Sequence, residues 1–198
     1  MTPMDQDSEL ALVEQLRAGD ETAFDAVYDA FNLRLFTFLL RLSRRRDVAE
    51  DLLEETWLRL VKHAHRLRPG TRLGPWLFTV ARNLHVSYVR SRLIEDSTTA
   101  GLMGLWPFNV ERTSPFEATA ANELERRIER ALASLPMPSR EVLLLVGVAG
   151  LEHADAAAVC GITPEALRQR LHRARVLLAK ALDADTRATS PVLKEVTP

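Results

Sequence analysis

Residues 151–182 read LEHADAAAVCGITPEALRQRLHRARVLLAKAL, and the fold of the chain is decided there. Glu152 to Cys160 is a short alanine-rich helix, and Gly161 is a natural stop behind it. Thr163 then offers a side-chain oxygen as N-cap, and Pro164 takes the first helical position, where its missing N–H costs nothing. Leu167, Leu171, Ala174 and Leu178 recur at spacings of four, three and four, which places them on one buried stripe. The other faces carry Arg168, Gln169, Arg170, His172, Arg173, Arg175 and Lys180, with no acid between Leu167 and Leu182. This is a helix-turn-helix whose second helix has an apolar back and a guanidinium-rich front, suited to entering a major groove and holding phosphates. The alternative reading is a solvated basic face on a helical bundle.

Working outward, the 198-residue chain is long enough for one sizeable core or two small ones. Its net charge of −1 says nothing about nucleic acid, but the distribution of charge does. The first 30 residues hold eight acids and one base, Arg17, whereas Arg66 to Ile94 holds six arginines and no acid. Such segregation builds local fields that the total hides. A single cysteine, Cys160, rules out an internal disulfide, fits a reducing cytoplasm, and sits where a small buried filler belongs. There is no run of about 18 apolar residues and the acidic amino terminus is not a signal peptide, so a cytoplasmic protein without membrane insertion is expected.

Nearly everything else also reads as helix. Ser8 to Ala18 is short and amphipathic, with Ser8 as its cap. Asp20 caps a second helix that carries Phe24, Val27, Tyr28, Phe31, Leu35, Phe38, Leu39 and Leu42 at three-and-four spacing. The run Ser43-Arg44-Arg45-Arg46 ends it, and Asp47 is expected to cap a third helix with an inner stripe of Ala49, Leu52, Leu53, Thr56, Trp57, Leu60 and Val61. Pro69 and Gly70 break the pattern, and a fourth helix opens near Pro75 with Trp76, Val80, Leu84 and Tyr88 on one face. Glu95 to Thr119, with Gly101, Gly104, Pro107 and Pro115, reads as a linker. Its apolar cluster Leu102-Met103-Leu105-Trp106-Phe108 either folds back over a domain or docks in a partner's groove. Further helices are expected at Ala120–Ser134, Ser139–Ala149, Glu152–Cys160 and Pro164–Leu182, before a disordered polar tail. The fold class is therefore all-α, with two small helical domains at residues 8–94 and 120–182, a linker at 95–119 and a tail at 183–198.

Two helical domains, each with a basic stretch, point to DNA contact at two separated places, and at this level the chain resembles the extracytoplasmic function group of the sigma-70 family. Asp20-Glu21-Thr22-Ala23-Phe24 followed by Tyr28 resembles the family's opening helix. Ala49-Glu50-Asp51-Leu52-Leu53-Glu54-Glu55-Thr56-Trp57 resembles its region 2.2, and Trp76-Leu77-Phe78-Thr79-Val80-Ala81-Arg82-Asn83-Leu84 with Tyr88-Val89-Arg90 resembles regions 2.3 and 2.4. Leu135-Pro136 with Arg140-Glu141-Val142, then Gly161-Ile162-Thr163 and Leu171-His172-Arg173-Ala174-Arg175, resemble region 4. Glu54, Ser87, Asp155, Ala166 and Gln169 depart from the family's usual glutamine, aspartate, glutamate, threonine and serine.

The resemblance implies a sigma factor that binds core RNA polymerase and directs promoter recognition, melting at the −10 element and initiation, under an anti-sigma factor. It implies that Glu50, Asp51, Glu54 and Glu55 form an acidic ridge against the polymerase clamp coiled coil, with the flap as a further contact. Arg66, Arg68, Arg72, Arg82, Asn83 and Arg90 would meet the −10 element, where a base is held flipped from the melted strand. Trp76 and Tyr88 are read as core packing before base stacking. Arg168, Gln169, Arg170, His172 and Arg173 would read the −35 element, Gln169 being able to pair bidentately with adenine. No cofactor and no metal are expected. The five dispersed histidines lack ligand partners, and no phosphate loop or catalytic constellation is visible, which argues against an enzyme. Two other readings are an operator-binding helix-turn-helix regulator and a mimic that sequesters an anti-sigma factor. The first leaves the acid-free stretch 66–94 idle, and the second is opposed by the retained Arg82, Arg170 and Arg173.

Overall fold

The computed structural model describes residues 6–100 and 123–189, and the described residues form eight α-helices, one short 3-10 turn and no strand. In chain order the helices are α1 (Gln6–Ala18), α2 (Glu21–Ser43), α3 (Arg46–His63), α4 (Leu73–Ala100), α5 (Glu123–Ser134), α6 (Met137–Gly147), α7 (His153–Cys160) and α8 (Pro164–Thr189). The 3-10 turn, Ala64–Arg66, follows α3 directly.

Local chemistry sets most boundaries. The Asp20 carboxylate accepts from the Thr22 backbone N–H at 2.9 Å and opens α2. Gly161, at φ +66°, closes α7 in the left-handed conformation that glycine adopts without penalty. Thr163 Oγ1 accepts from the Ala166 N–H at 3.1 Å and caps α8 as its position predicts. Thr163→Ala is expected to cost about 1 kcal/mol of stability, read as a lowered urea midpoint at unchanged slope.

Several boundaries differ from the sequence expectation. Ser8 lies inside α1 and is not its cap. Arg44 ends α2 in the left-handed region at φ 62°, so α3 can begin at Arg46. Asp47 thus falls in the first turn, where the Arg45 side chain bonds its carboxylate. Helix α4 starts at Leu73 and runs through the first six residues expected to be linker, to Ala100. Helices α5 and α6 begin at Glu123 and Met137, and residues 101–119, with the apolar Leu102–Phe108 cluster, lie outside the described residues. Helix α8 extends through 183–189, where a disordered tail was expected. Asp185 there accepts from Arg130 of α5 at 2.9 and 3.0 Å, which ties the extra turns down.

Helix α2 lies at the centre and packs against α1, α3, α4 and α6. Its Phe38 is fully buried and meets the equally buried Phe78 of α4 edge to face, with centroids 5.4 Å apart. The buried face of α4 is Leu73, Leu77, Phe78, Ala81, Leu84 and His85, rotated from the expected stripe. Trp76, Val80 and Tyr88 flank it half-buried against the core. Tyr28 and Val61, expected inside, are exposed. In the second half, α6, α7 and α8 enclose Val142, Leu145, Ala156, Leu167, Leu171 and Ala174.

The two halves share one continuous core. Helices α2 and α4 of the first half contact α5, α6 and α7 of the second. Phe31 and Leu151 approach within 3.4 and 3.7 Å of where a Cβ on Gly74 would lie. Arg34 donates to the Ala149 carbonyl from above the Phe31 ring, its guanidinium 5.1 Å from the centroid. Arg140 of α6 donates to the Leu42 carbonyl of α2 at 3.3 Å. The second domain is docked on the first rather than tethered beside it.

Candidate nucleic-acid and polymerase interfaces

Helix α8 turns its apolar back inward and its polar front to solvent. Leu167, Leu171 and Ala174 are buried, while Arg168, Gln169, His172 and Arg173 are exposed and Arg170 is half-buried. Side-chain contacts preset part of this front. Arg168 and Gln169 both bond Glu165 in the first turn, and Arg173 Nε donates to the Gln169 carbonyl at 3.4 Å. The Arg168 bond holds the Glu165 carboxyl below its usual range. The five expected residues therefore share one face, and among the described residues none of them pairs with an acid of the first domain.

The arginines expected at the −10 element divide into two groups. Arg66, Arg68 and Arg90 are exposed, Arg66 Nε donating to His65 Nε2 at 3.1 Å. Arg72 and Arg82 pair with acids of the second domain, Arg82 half-buried there and Arg72 remaining exposed. Arg72 Nη1 lies 2.7 Å from Asp155 Oδ1 of α7, and Arg82 Nε lies 2.8 Å from Glu141 Oε1 of α6. Asn83 is exposed and accepts weakly from Arg82 Nη1 at 3.4 Å. The Glu141 side chain is only 3% exposed, and its second oxygen accepts from Cys160 Sγ at 3.7 Å. Burial, together with this carboxylate, pushes the Cys160 thiol up to about 12, so it is a buried filler and not a nucleophile. Burial lifts the Asp155 carboxyl as well, against the pull of Arg72.

Helix α3 carries the acidic ridge. Glu50, Asp51 and Glu54 are exposed and Glu55 is half-buried. Glu50 pairs with Arg46 at 2.7 Å and Glu55 with Arg59 at 2.8 Å, both one helical turn away. Asp51 and Glu54 make no ion pair among the described residues, so the unneutralised charge of the ridge lies there. Beside it α2 and α3 form an open apolar groove of about 380 Å³ lined by Phe24, Tyr28, Leu53, Trp57, Leu58 and Val61, with Glu50 and Glu54 at its rim. Trp57 is fixed by its indole N–H to Asn32 Oδ1 at 3.0 Å, and its ring stacks tilted on Tyr28 at 4.9 Å. Sequence reasoning read only the charged half of this surface. Tyr28 and Val61 fit the helical period of their neighbours and so read as core; Leu58, off that period, is the available signal.

Comparison with known proteins matches two regions of the chain to one family. Residues 27–95 match the family described as Sigma-70 region 2, and residues 125–178 match Sigma-70, region 4. The chain is 37% identical over 151 residues to the ECF RNA polymerase sigma factor EcfG of Rhodopseudomonas palustris, covering 76% of this chain and 80% of that protein. It is 32% identical over 170 residues to the RNA polymerase sigma factor CarQ of Myxococcus xanthus, covering 81% and 90%. Among solved structures, the sigma factor RpoE in complex with the anti-sigma factor NepR from Bartonella quintana superposes with a TM-score of 0.62 at 27% identity, covering 90% of this chain and 96% of that one. CnrH, solved with the cytosolic domain of CnrY, shares the fold with a TM-score of 0.66 at 23% identity over 89% of this chain and 98% of that one.

Proposed function

The chain belongs to the extracytoplasmic function group of the sigma-70 family of RNA polymerase sigma factors, and on that premise we propose how its own residues divide promoter recognition. The first domain, residues 8–94, docks on the polymerase clamp through α3. Asp51 and Glu54 steer and register the contact, and the neighbouring apolar groove supplies buried area. The arginines Arg66, Arg68, Arg72, Arg82 and Arg90, with Asn83, hold the melted −10 strand. The second domain, residues 120–182, lays α8 in the −35 major groove, where Arg168, Gln169, Arg170, His172 and Arg173 meet bases and phosphates. The chain recognises and melts promoter DNA in the cytoplasm, and the polymerase performs the chemistry. An anti-sigma factor controls it, as the NepR complex of the Bartonella quintana relative supports.

One observation carries this reading: two matched sigma regions stand in the family's order, and the second ends in a helix whose exposed face is arginine-rich, with no acid between Leu167 and Leu182. The test is abortive initiation with purified core polymerase on a library of promoter-containing DNA. Initiation only when the protein is present, at sites sharing two elements a fixed distance apart, is the expected result. Duplex binding without initiation would instead mean an operator-binding regulator. Arg173→Ala is expected to weaken −35-dependent initiation about tenfold while leaving the affinity for core polymerase unchanged. Asp51→Ala is expected to weaken core binding and leave DNA discrimination intact. Equal loss of both properties in either variant would remove this division of labour.

A further inference from the structure

Between Pro164 and Leu182 helix α8 holds one acid, Glu165, among arginines. Glu165, Arg168, Gln169 and His172 stand at the three-and-four spacing of a single helical stripe. All four are exposed, and their stripe lies opposite the buried Leu167, Leu171 and Ala174. A recognition helix touches base edges with its N-terminal residues, and Glu165 is in the first turn, ahead of every residue assigned to the −35 element. Arg168 Nη2 donates to Glu165 Oε2, and Gln169 Nε2 donates to Oε1 at 3.5 Å. The Glu165 and Arg168 side chains are 61% and 57% exposed, so their pairing adds little to stability and is free to serve recognition. We propose that Glu165 is a specificity-determining residue for the −35 element, its carboxylate accepting from the N4 amine of a cytosine while Arg168, held beside it, donates to the guanine paired with that cytosine. The proposal rests on the assignment of α8 to the −35 major groove.

The chemistry follows from what each base edge shows. In the major groove guanine offers two acceptors, N7 and O6, and cytosine offers a donor, N4. Glu165 and Arg168 together present the complement, an acceptor-only group beside a donor-only one. Each carboxylate oxygen keeps lone-pair capacity after one bond, so reading a base does not require releasing Arg168. A reversed pair would set the carboxylate against the guanine acceptors, and thymine would oppose it with O4. Adenine also carries an amine, but its partner thymine gives Arg168 one acceptor and a methyl group in place of two acceptors.

Glu165 also lowers the attraction of α8 for DNA in general. It partly neutralises Arg168 and sets a negative charge at the leading edge of a basic face. That repulsion acts on every sequence and is offset only where an amine meets the carboxylate, so the acid discriminates by penalising the wrong sites.

The test is initiation by core polymerase with the full chain, on a promoter recovered by the abortive assay, with its −35 element randomised. Base preferences at each position are compared for the native protein and Glu165→Gln. The native protein is expected to prefer cytosine about tenfold at one position. In Glu165→Gln, whose amide both donates and accepts, that preference is expected to fall below about twofold, with the preferences elsewhere retained. The free variant is also expected to bind non-specific duplex DNA about threefold more tightly at low salt, because a repelling charge is gone and Arg168 can meet a phosphate. An unchanged base profile overturns the role of Glu165 and leaves α8 as the −35 reader. So does a uniform loss of initiation with a lowered urea midpoint, the behaviour of an acid that only complements the helix dipole. A native protein without base preference anywhere in the randomised element overturns the assignment of α8, and the role of Glu165 with it.

Discussion

Arg140→Ala is expected to destabilise the protein by about 3–5 kcal/mol, more than any surface substitution discussed above. Arg140 is 7% exposed, and its guanidinium serves four carbonyls at once. Nε donates to Leu132 and Nη2 to Ala133 and Leu135, each at 2.9 Å, while Nη1 reaches Leu42 at 3.3 Å. Leu132 and Ala133 are in the last turn of α5, where carbonyls have no partner within the helix. One side chain thus closes α5, fixes its junction to α6 and pins both to α2. Burial, reinforced by Arg44, pulls its pKa down to about 10, so the charge is retained at neutral pH. Removing the guanidinium strands several buried acceptors, each worth about 1–3 kcal/mol, partly recovered by water. Arg140→Lys is expected to recover less than half of the loss, because an ammonium cannot reproduce the planar fork. Urea unfolding of the three proteins decides the matter, and near-equal midpoints would show that the carbonyls find other partners.

Acidification from pH 6.5 to 4 is expected to destabilise the protein through His85. This imidazole is 3% exposed, and its Nδ1 has no hydrogen-bond partner among the described residues. Burial first, then the nearby positive charges of Arg140 and Arg82, pulls its pKa down from 6.5 to about 4. The sign follows from proton counting. Between those values the unfolded chain binds a proton that the folded chain refuses, so the contribution is complete above pH 6.5 and is lost as pH falls toward 4. At 1.36 kcal/mol per unit the loss over the window is on the order of 3 kcal/mol. Burial also raises the carboxyls of Glu129 and Asp155, which act in the opposite sense, so the contrast must be made against a His85 variant. His85→Leu is expected to flatten the fall in melting temperature between pH 7 and pH 4.5. Parallel pH profiles for the two proteins would show that His85 is not the group responsible.

Helix positions were legible wherever the stabilising interaction is local. The Asp20 and Thr163 caps, the Gly161 stop and the buried back of α8 each depend on residues within a few positions of one another, so spacing alone locates them. Local signals misled where two candidates competed. Asp47 reads as a cap, yet Arg44 takes the left-handed conformation and α3 starts one residue before Asp47. At 183–189 a polar composition hid a continuing helix, because the Arg130–Asp185 contact that ties it spans 55 residues.

The candidate surfaces divide in the same way. The α8 front and the α3 ridge each lie on a single helix, and the 3.6-residue period that buries one face necessarily exposes the other. The groove around Trp57 needs two helices side by side, and the ion pairs of Arg72 and Arg82 need partners 83 and 59 residues away. Sequence by itself determined an all-helical chain in two halves, with an arginine-faced helix at the end of the second. Tertiary structure alone decided that the halves share a core and that Glu141 and Asp155 occupy two of the arginines assigned to the −10 strand. The reason is physical: periodicity and capping are written into neighbouring residues, whereas complementarity between distant faces exists only once the chain has brought them together.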